Sequence, residues 1–363
     1  MARRALAIET PALLLHLDVV ERNLERMAER ARRLGVALRP HAKTHKCPEL
    51  GRRQLAHGAI GLTVATLAEA EAFVRAGFTD LTWAFPIDPT HIPHARRLAR
   101  RATLRVVTDD LETARALAGS GLPVWLKVDC GYHRAGVDPE GPYAMEVARE
   151  LGREDGLRFD GLLSHSGHAY HTRNKAEAAQ VAEEERLALS RFAQRLRVAG
   201  ITVRGTSAGS TPALSAATDL TGVTEARPGN YVFYDQTQVL IGCCEPEDVA
   251  VSVLATVVSH QPGGDHLVVD AGALSLSKDT GPDHLGLPIS FGAVRGHPSL
   301  TVASVSQEHG VVRGPVPLLN QFHVGDRMEI VPNHSCLTVA HHDQYHVMRD
   351  GRVLDQWRIA RGR

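Results

Sequence analysis

The 363-residue sequence predicts an α/β protein, in which a (β/α)8 TIM barrel is followed by a C-terminal β domain. Three observations predict this fold class. Eight short apolar runs alternate with helical patterns between residues 36 and 234. After about residue 245, β-branched runs are separated by Gly and Pro turns without a long helical pattern. Polar residues follow several predicted strands, where a barrel places its active site.

The first helix is predicted over residues 20–34, because apolar side chains recur at helical spacing from Val20 to Ala31 among Arg and Glu. The predicted barrel strands lie near residues 36–39, 60–65, 80–85, 103–108, 122–129, 159–165, 201–206 and 223–234. Helical patterns between them cover residues 66–75, 109–119, 142–151 and 174–199. A doubly wound sheet is the competing fold, but no GxGxxG sequence opens a helix after the first strand.

These patterns divide the chain into three parts. Residues 1–19 contain a strand, Thr10–Leu17, which we expect to associate with the β domain. Residues 20–244 form the predicted barrel, and residues 245–363 form the C-terminal β domain. The β domain is predicted from alternating runs at Val249–Val258, Leu267–Val269, Thr301–Val305, Met328–Val331 and Tyr345–Met348.

Composition excludes several classes of partner. Lys plus Arg and Asp plus Glu number 41 each, so the charge balance favours neither nucleic acid nor a membrane surface. No apolar run is long enough for a membrane span, and no signal-type segment follows the N-terminus. Five cysteines, an odd number, favour reduced thiols over a disulfide framework. We therefore expect a cytoplasmic protein with a small-molecule substrate.

Lys43 is the residue that first indicates catalysis. It follows the apolar run Val36–Leu38, at the predicted carboxyl end of the first barrel strand. His41, His45 and Arg39 crowd it, which favours the neutral, nucleophilic form of the amine. Such an amine can hold an aldehyde cofactor as a Schiff base. A basic surface turn is the alternative for this segment taken alone.

Two further strand ends carry polar side chains. After strand five, Arg134 lies between two glycines and is a candidate to hold a cofactor's phenolic oxygen as an anion. A salt bridge across the barrel rim is the alternative for this arginine. After strand six, the segment Ser164–Tyr170 is dense in hydrogen-bonding groups directly behind an apolar strand. Packing alone does not explain that density, so the segment is a second candidate for the site.

Small residues follow strands seven and eight. Strand seven ends in a segment with Ser210 and Thr211, and strand eight ends in a segment with Gly229 and Asn230. Free backbone N–H groups at a helix N-terminus bind phosphate, and these two loops are the usual phosphate site of a barrel. Two such loops opposite a candidate Schiff-base lysine indicate pyridoxal 5'-phosphate as the cofactor.

His334 and Cys336 form a candidate metal site near the C-terminus. In an extended strand, residues two apart share a face, so the imidazole and the thiolate can point at one ion. This pair of donors favours zinc. The remaining positions would fall to water and substrate, or to His341, His342 or Asp343. The alternative is an ordinary buried cysteine near a surface histidine.

Taken together, these segments resemble the fold-type III pyridoxal phosphate enzymes of the D-serine dehydratase and D-threonine aldolase family. The similarity spans nearly the whole chain. It rests on Arg39–Lys46, Asp129–Gly136, His165–Tyr170, Glu225–Asp235 and Pro332–Thr338. The resemblance implies a TIM barrel of alanine racemase type with a C-terminal β domain that carries the metal, and it implies a homodimer.

The resemblance also implies roles for individual residues. Lys43 is the Schiff-base lysine and the base that removes the Cα proton of the substrate, and His168 is a candidate base at the β-hydroxyl. Tyr170 lies against the pyridine ring. The implied cofactor-binding set is Lys43, His41, Arg134, Tyr170, Ser210, Thr211, Gly229 and Asn230. His334 and Cys336 hold Zn2+, or Mn2+ or another divalent metal.

The implied activity is that of a lyase acting on β-hydroxy D-amino acids. The cofactor ring stabilises a carbanion at Cα, and the metal acts as a Lewis acid on the β-hydroxyl. The His-x-Cys pair favours a D-serine or D-threonine dehydratase, which yields a 2-oxo acid and ammonia. A D-threonine aldolase, which yields glycine and an aldehyde, is the alternative. An amino-acid racemase is a more distant one, and residues 245–363 argue against a non-catalytic cofactor-binding protein.

Overall fold

The computed structural model describes residues 8–153 and 157–362, which form two compact units. One unit spans Leu24–Gly229, and the other combines the N-terminal segment through Asn23 with Asn230–Arg361. The division before Asn230 falls ahead of residue 245, the predicted start of the C-terminal β domain. The first is the barrel unit and the second is the β unit.

The strands in the described residues are short in the barrel unit and longer in the β unit. In chain order they are β1 (Ala12–His16), β2 (Ala37–Leu38), β3 (Leu62–Val64), β4 (Asp80–Pro86), β5 (Thr103–Thr108), β6 (Pro123–Lys127), β7 (Arg158–Leu163), β8 (Gly205–Ala208), β9 (Glu225–Ala226), β10 (Val251–His260), β11 (His266–Val269), β12 (Ala293–Val294), β13 (His297–Val305), β14 (Gly310–Arg313), β15 (Arg327–Val331), β16 (Gln344–Arg349) and β17 (Arg352–Arg358).

The long α-helices in the described residues belong mainly to the barrel unit. In chain order the helices are α1 (Leu17–Arg33), α2 (Pro48–Ala56), α3 (Leu67–Arg75), α4 (Ile92–Ala99), α5 (Leu111–Ala116), α6 (Pro142–Leu151), α7 (Lys175–Val198), α8 (Thr211–Ala216), α9 (Gln236–Leu240), α10 (Ala273–Leu276), α11 (Val316–Leu319) and α12 (Ser335–His341). Within residues 8–153 and 157–362, no helix combines the length and the apolar character needed to span a bilayer.

Eight parallel strands form the sheet of the barrel unit. Their order is β2-β9-β8-β7-β6-β5-β4-β3. The two ends of this sheet meet where His41 bridges Thr63, and the Thr63 N–H donates to the carbonyl oxygen of Pro40 at 2.8 Å. The strands therefore close into a barrel, which confirms the predicted fold class.

The last two barrel strands differ from their predicted extents. The predicted strand at 201–206 begins only at Gly205, and the predicted strand at 223–234 is reduced to β9 and a following 3-10 helix, Asn230–Val232. Pro228 ends the ladder because it has no N–H to donate. The hydrophobic periodicity of the sequence did not predict helices α2 and α4. In α4, only the narrow stripe of Ile92, Ala95 and Leu98 is buried, so its apolar signal is weak.

The β unit is built on a nine-stranded sheet. Its order is β11-β14-β13-β12-β15-β10-β1-β16-β17, and an additional pairing of β10 with β11 closes six of these strands into a second, antiparallel barrel. This agrees with the predicted C-terminal β domain. The N-terminal strand β1 runs antiparallel to β10 and parallel to β16. Its side chains Leu13, Leu14 and Leu15 are fully buried in this unit.

Gly161 allows the close approach of β7 and β8 beneath the polar loops of the barrel. It pairs with Gly205 and has a φ of +138°. A Cβ added at Gly161 would overlap the backbone carbonyl oxygen of Gly205. Because that oxygen belongs to the strand ladder, it cannot move without breaking the β7–β8 pairing.

We predict that Gly161→Ala lowers the free energy of unfolding by roughly 3 kcal/mol or more, since the new methyl group meets rigid backbone. Gly200→Ala is the matched control, because Gly200 also has a positive φ, +79°, but has open space around it. The control should lose only about 1 kcal/mol. Urea unfolding followed by circular dichroism measures both. Equal losses in the two variants would contradict the packing argument.

Candidate active site

The loop after β2 presents Lys43 in a fixed backbone conformation. Ala42–Thr44 form one turn of 3-10 helix, and the Lys43 N–H donates to Nδ1 of His41 at 3.3 Å. His45 is buried, where its Nε2 contacts Oε1 of Gln54 at 3.1 Å. The Cys47 N–H donates to Nδ1 of His45 at 3.0 Å. The imidazoles on both sides of Lys43 therefore order the loop.

Two lysines of this loop have different environments. The ammonium of Lys46 forms an ion pair with Glu69, whose carboxylate is fully buried and also accepts from the Ala65 N–H at 2.7 Å. Within the part of the chain that the structure describes, Lys43 has no ion pair. Lys46 also has a left-handed backbone, with a φ of 47°. Lys46 is thus a tether for the loop, whereas the amine of Lys43 is available for chemistry.

Neutral imidazoles flank Lys43. Burial lowers the pKa of His41 well below its ordinary value, and the nearby charges of Lys43 and Arg227 lower it further. Burial likewise lowers the pKa of His165 well below its ordinary value, with Lys43 and Lys127 adding to the effect. Both rings are therefore uncharged at neutral pH, and they do not add cations to this end of the barrel.

Arg227 is a buried cation at the carboxyl ends of three strands. Its guanidinium donates to the hydroxyl of Ser207 and to the backbone carbonyl of Ser164. The same Ser207 hydroxyl donates to Glu225 at 2.6 Å. Lys127 is also buried, and burial together with Arg227 lowers the pKa of Lys127 to about 7. The mouth of the barrel thus holds several basic groups that an anionic ligand would neutralise.

Glu185 connects the loops after β7 and β8. This residue lies on α7 and is 2% exposed. Its carboxylate accepts from the hydroxyl of Ser164 at 2.6 Å, the hydroxyl of Ser166 at 2.7 Å and the Gly209 N–H at 3.1 Å. A buried carboxylate is stabilised when several donors surround it, as here. Glu185 therefore fixes the loop that contains His165 relative to the loop that begins at Gly209.

The predicted phosphate loops both lie in the barrel unit. Ser210 caps α8, its hydroxyl accepts from the Ala213 N–H at 3.4 Å, and it contacts the Ser166 hydroxyl at 3.3 Å. Thr211 is fully buried. At Gly229, an added Cβ would come within 3.0 Å of the Thr44 hydroxyl and 3.1 Å of the His41 carbonyl oxygen. Gly229 thus packs directly against the loop that carries Lys43.

Aromatic and imidazole rings gather at the ends of strands five and six of the barrel. The Tyr132 ring lies 5.9 Å from that of His165 and 6.1 Å from that of His168. The guanidinium of Arg134 lies 5.0 Å above the Tyr132 ring. In residues 8–153 and 157–362, Nδ1 of His168 is buried without a hydrogen-bond partner. Tyr170 follows in the same 3-10 helix as His168, Gly167–His171.

Asn230 differs from the other predicted phosphate contacts. It belongs to the β unit, and its side-chain amide donates to Asp235 at 2.6 Å and to the Ser335 hydroxyl at 3.1 Å. The side-chain amide of Asn230 therefore forms its hydrogen bonds within the β unit. The side-chain oxygen of Asn230 is buried and unpaired among the described residues.

The predicted metal pair has a different local structure from the expected one. His334 has an extended backbone, but helix α12 begins at Ser335, so Cys336 lies in its first turn rather than on a strand. The expectation of a shared strand face was wrong. The two side chains nevertheless interact, since Cys336 contributes to the pKa of His334. Burial alone would lower that pKa, but the contacts with Asp279 and Cys336 raise it well above its ordinary value.

No third donor completes the pair. The structure, over residues 8–153 and 157–362, contains no group of three or more His, Cys, Asp or Glu side chains arranged to hold a metal ion. His341 and His342 contact the carbonyl oxygens of Leu274 and Ser275, both at 3.1 Å. Asp343 pairs with Arg361 at 3.1 Å. The three residues considered as further ligands thus have other contacts.

Several residues that shape the site were missed from the sequence. They are Arg227, Lys127, Glu185, Tyr132 and Asp279. For two of them, the sequence itself contains an indication. Glu185 lies on the apolar face of α7, in register with Val181 and Leu189, and Lys127 ends an otherwise apolar strand. A charged residue at a core position indicates a buried polar network.

Family comparisons cover both units. Residues 15–237 match the family described as alanine racemase, N-terminal domain, and residues 250–348 match the family described as putative serine dehydratase domain. The chain is 36% identical to D-threo-3-hydroxyaspartate dehydratase of Delftia sp. (strain HT23), over 98% of both chains. The solved structure of that protein superposes with a TM-score of 0.94. A cysteine-to-alanine variant of it has been solved in a metal-free form.

Two further relatives have different activities in their names. The chain is 35% identical to D-serine dehydratase of Dictyostelium discoideum, over 97% of this chain and 96% of the relative. It is also 35% identical to D-threonine aldolase of Arthrobacter sp., over 98% of this chain and 93% of the relative. The similarity therefore extends over both units, and it includes dehydratases and an aldolase.

We predict that Glu185→Ala destabilises the barrel unit, because two hydroxyls and one backbone N–H lose their buried acceptor. The loss in free energy of unfolding should be about 3 kcal/mol. Glu184→Ala is the matched control, since Glu184 is the exposed neighbour on the same helix. It should change stability by about 0.5 kcal/mol or less. Thermal unfolding of the two variants checks the difference, and similar shifts would contradict the proposed network.

Proposed function

We propose, from the premise that this chain belongs to the alanine racemase-like family of D-serine dehydratases and D-threonine aldolases, that it is a pyridoxal phosphate-dependent lyase of β-hydroxy D-amino acids. The observation that carries the proposal is the environment of Lys43. Its amine has no ion pair among the described residues, neutral histidines flank it, and Gly229 packs against its loop. These features suit a lysine that bonds an aldehyde cofactor.

The residues of the barrel unit fit pyridoxal phosphate. Lys43 would bond the aldehyde, and the loops with Ser210, Thr211 and Gly229 would hold the phosphate. The fit is supported by the buried basic residues Arg227 and Lys127, which would attract an anion, and by the tight packing at Gly229. Asn230 stays a proposed phosphate contact on the family resemblance alone, and its side-chain amide donates within the β unit.

Other residues of the proposed cofactor site would orient the ring. His41, Arg134 and Tyr170 lie at the ends of the first, fifth and sixth barrel strands. The guanidinium of Arg134 is held above Tyr132 and keeps its donors free for an anionic oxygen. When bound, the cofactor supplies an electron sink for negative charge at Cα.

Lys43 is proposed to move the Cα proton. The His41 ring accepts from the Lys43 backbone N–H and so fixes the backbone that carries this lysine, and neutral His41 and His165 do not compete with it for negative charge. An amine in such surroundings can accept a proton from carbon and return it to a leaving group. Through its three hydrogen bonds, Glu185 would hold in place the loop that contains His165 and the loop that begins at Gly209.

The β unit supplies a donor set that fits a divalent ion. His334 and Cys336 interact, and Nδ1 of His334 contacts Oδ2 of Asp279 at 3.0 Å, the arrangement found behind most metal-binding histidines. Imidazole with thiolate favours Zn2+ over harder ions such as Mn2+. The metal-free form of a cysteine-to-alanine variant of a D-threo-3-hydroxyaspartate dehydratase supports a metal in this family. The ion would supply Lewis acidity toward the β-hydroxyl.

Dehydration of D-serine or D-threonine is the preferred reaction. The dehydratase relatives and the His-x-Cys pair support it. Retro-aldol cleavage is the second candidate, supported by the D-threonine aldolase relative and by His168. Burial lowers the pKa of His168, and its Nδ1 is unpaired among the described residues, so the neutral ring can take a proton from a hydroxyl.

The chain is proposed to act as a homodimer, as the family resemblance implies. The β unit supports this with exposed apolar side chains on α10, α12 and the segment between α10 and β12: Leu274, Leu337, Leu287 and Ile289. Light scattering at micromolar concentration tests the oligomeric state. A monomer throughout that range would contradict the proposal.

We predict that borohydride reduction of the loaded protein fixes a pyridoxyl group on Lys43. The absorption band at roughly 410–420 nm should be absent in Lys43→Ala, because no other lysine at the site is expected to bond the aldehyde. Peptide mass spectrometry locates the label. Lys127→Met is the control, since burial lowers the pKa of Lys127 to about 7 and makes its amine the competing nucleophile. A label on Lys127 instead would refute the assignment.

We predict that the zinc-loaded holoenzyme converts D-threonine to 2-oxobutyrate and ammonia. D-Serine and D-threo-3-hydroxyaspartate complete the substrate panel, and the L-enantiomers serve as controls. Removal of the ion with a chelator should abolish turnover, and added Zn2+ should restore it, because the ion assists departure of the hydroxyl. Glycine plus acetaldehyde would identify an aldolase. Undiminished turnover after chelation would contradict the metal-dependent lyase.

A further inference from the structure

We infer that Asp279 is a positioning residue for the metal ligand His334, which it holds with one ring nitrogen turned toward the ion. The inference rests on the metal pair of the proposed function and adds a residue to it. Asp279 is not one of the two proposed ligands. It acts through His334 by fixing the tautomer and the orientation of the imidazole.

The contact itself selects the nitrogen that can bind metal. Nδ1 of His334 and Oδ2 of Asp279 lie 3.0 Å apart, so the carboxylate accepts the Nδ1–H proton. A neutral imidazole with a proton on Nδ1 has its lone pair on Nε2. That nitrogen is the one left to join the thiolate of Cys336. Carboxylate contacts of this kind also raise the basicity of the ligand nitrogen.

Asp279 is itself held by hydrogen bonds on every polar group. Its other carboxylate oxygen accepts from the Gly281 N–H at 2.8 Å, and its own N–H donates to the Ser277 hydroxyl at 3.2 Å. Its carbonyl oxygen accepts from the side-chain amide of Asn333 at 2.9 Å. Asn333 directly precedes His334, so two neighbouring residues contact Asp279, one at its backbone carbonyl and one at its carboxylate. The carboxylate has little freedom to turn away from the imidazole.

The backbone before Asp279 has an unusual conformation. Ser277 ends α10 with φ 80° and ψ 177°, a combination that glycine adopts readily and other residues rarely adopt. Its side chain is 5% exposed, and its hydroxyl is the group that accepts from the Asp279 N–H. Such strained backbone is concentrated at functional sites. Here it directs the chain from α10 toward His334.

Two hydrogen bonds also anchor the segment that carries Cys336. The Ser335 N–H donates to buried Asp235 at 3.0 Å, and the Thr338 hydroxyl donates to the Leu276 carbonyl oxygen at 2.8 Å. Both ligands are therefore presented by a fixed framework, as a preorganised metal site requires. A stabilising role does not account for the Asp279 contact, because the side chains of His334 and Asp279 are 38% and 26% exposed, and partly exposed ion pairs contribute little to stability.

The experiment compares Zn2+ affinity among variants by competition with a chromophoric chelator. Asp279→Ala should weaken binding by about 10- to 100-fold. Asp279→Asn should recover much of that loss, since the amide oxygen still accepts from Nδ1–H. Asp283→Ala is the matched control, because Asp283 is an exposed carboxylate in the same connection and should leave affinity unchanged. The absorption spectrum of the Co2+-substituted protein reports ligand geometry and should change only in the Asp279 variants.

Each outcome bears on a different claim. If His334→Ala and Cys336→Ser bind Zn2+ as tightly as the unmodified chain, the metal pair of the proposed function is wrong, and the inference fails with it. If those two variants lose the ion but Asp279→Ala binds within about twofold of the unmodified chain, the inference alone is overturned. Should Asp279→Ala fail to fold, Asp279→Leu decides the question, because leucine is similar in size and has no acceptor for Nδ1–H: a Zn2+ affinity within about twofold of that of the unmodified chain, with an unchanged cobalt spectrum, would overturn the inference.

Discussion

The positive charge of Arg227, buried where three barrel strands end, is the constraint on which the rest of the site depends. A guanidinium in this position must be surrounded by acceptors, and Ser207 and the Ser164 carbonyl provide them. Its charge, added to that of Lys43, is part of the reason that His41 and His165 remain neutral. The buried guanidinium of Arg227 therefore needs the acceptors that Ser164 and Ser207 supply, even when no ligand is bound.

The two units position the residues of their proposed sites by different contacts. In the barrel unit, one buried carboxylate, Glu185, gathers donors from two loops, so the loops keep their spacing without a ligand. In the β unit, strained backbone at Ser277 and a chain of hydrogen bonds through Asp279 orient one imidazole. In both cases a part of the proposed site is held in place by a residue to which the proposed function assigns no chemical step.

The sequence predicted the parts of this molecule that depend on local pattern. The barrel, most of its strands and the position of Lys43 follow from periodicity and from where polar residues interrupt it. Arg227 and Glu185 were not found, because their partners are 19 to 63 residues away in the chain and no local pattern relates them. The start of α12 at Ser335 was also missed. That helix is anchored by Asp235, 100 residues earlier, whereas the local sequence suits a strand equally well.

The placement of β1 between β10 and β16 has a consequence for how the chain is made. Of the described strands, Ala12–His16 is synthesised first, and its partners at Val251–Leu254 and His346–Met348 follow only after the whole barrel unit. The barrel unit is an insertion between these parts, and its residues are complete in the chain before the β unit has its second strand. The β unit therefore cannot complete its sheet before His346–Met348 are synthesised, and the proposed metal ligands His334 and Cys336 also follow the whole barrel unit in the chain.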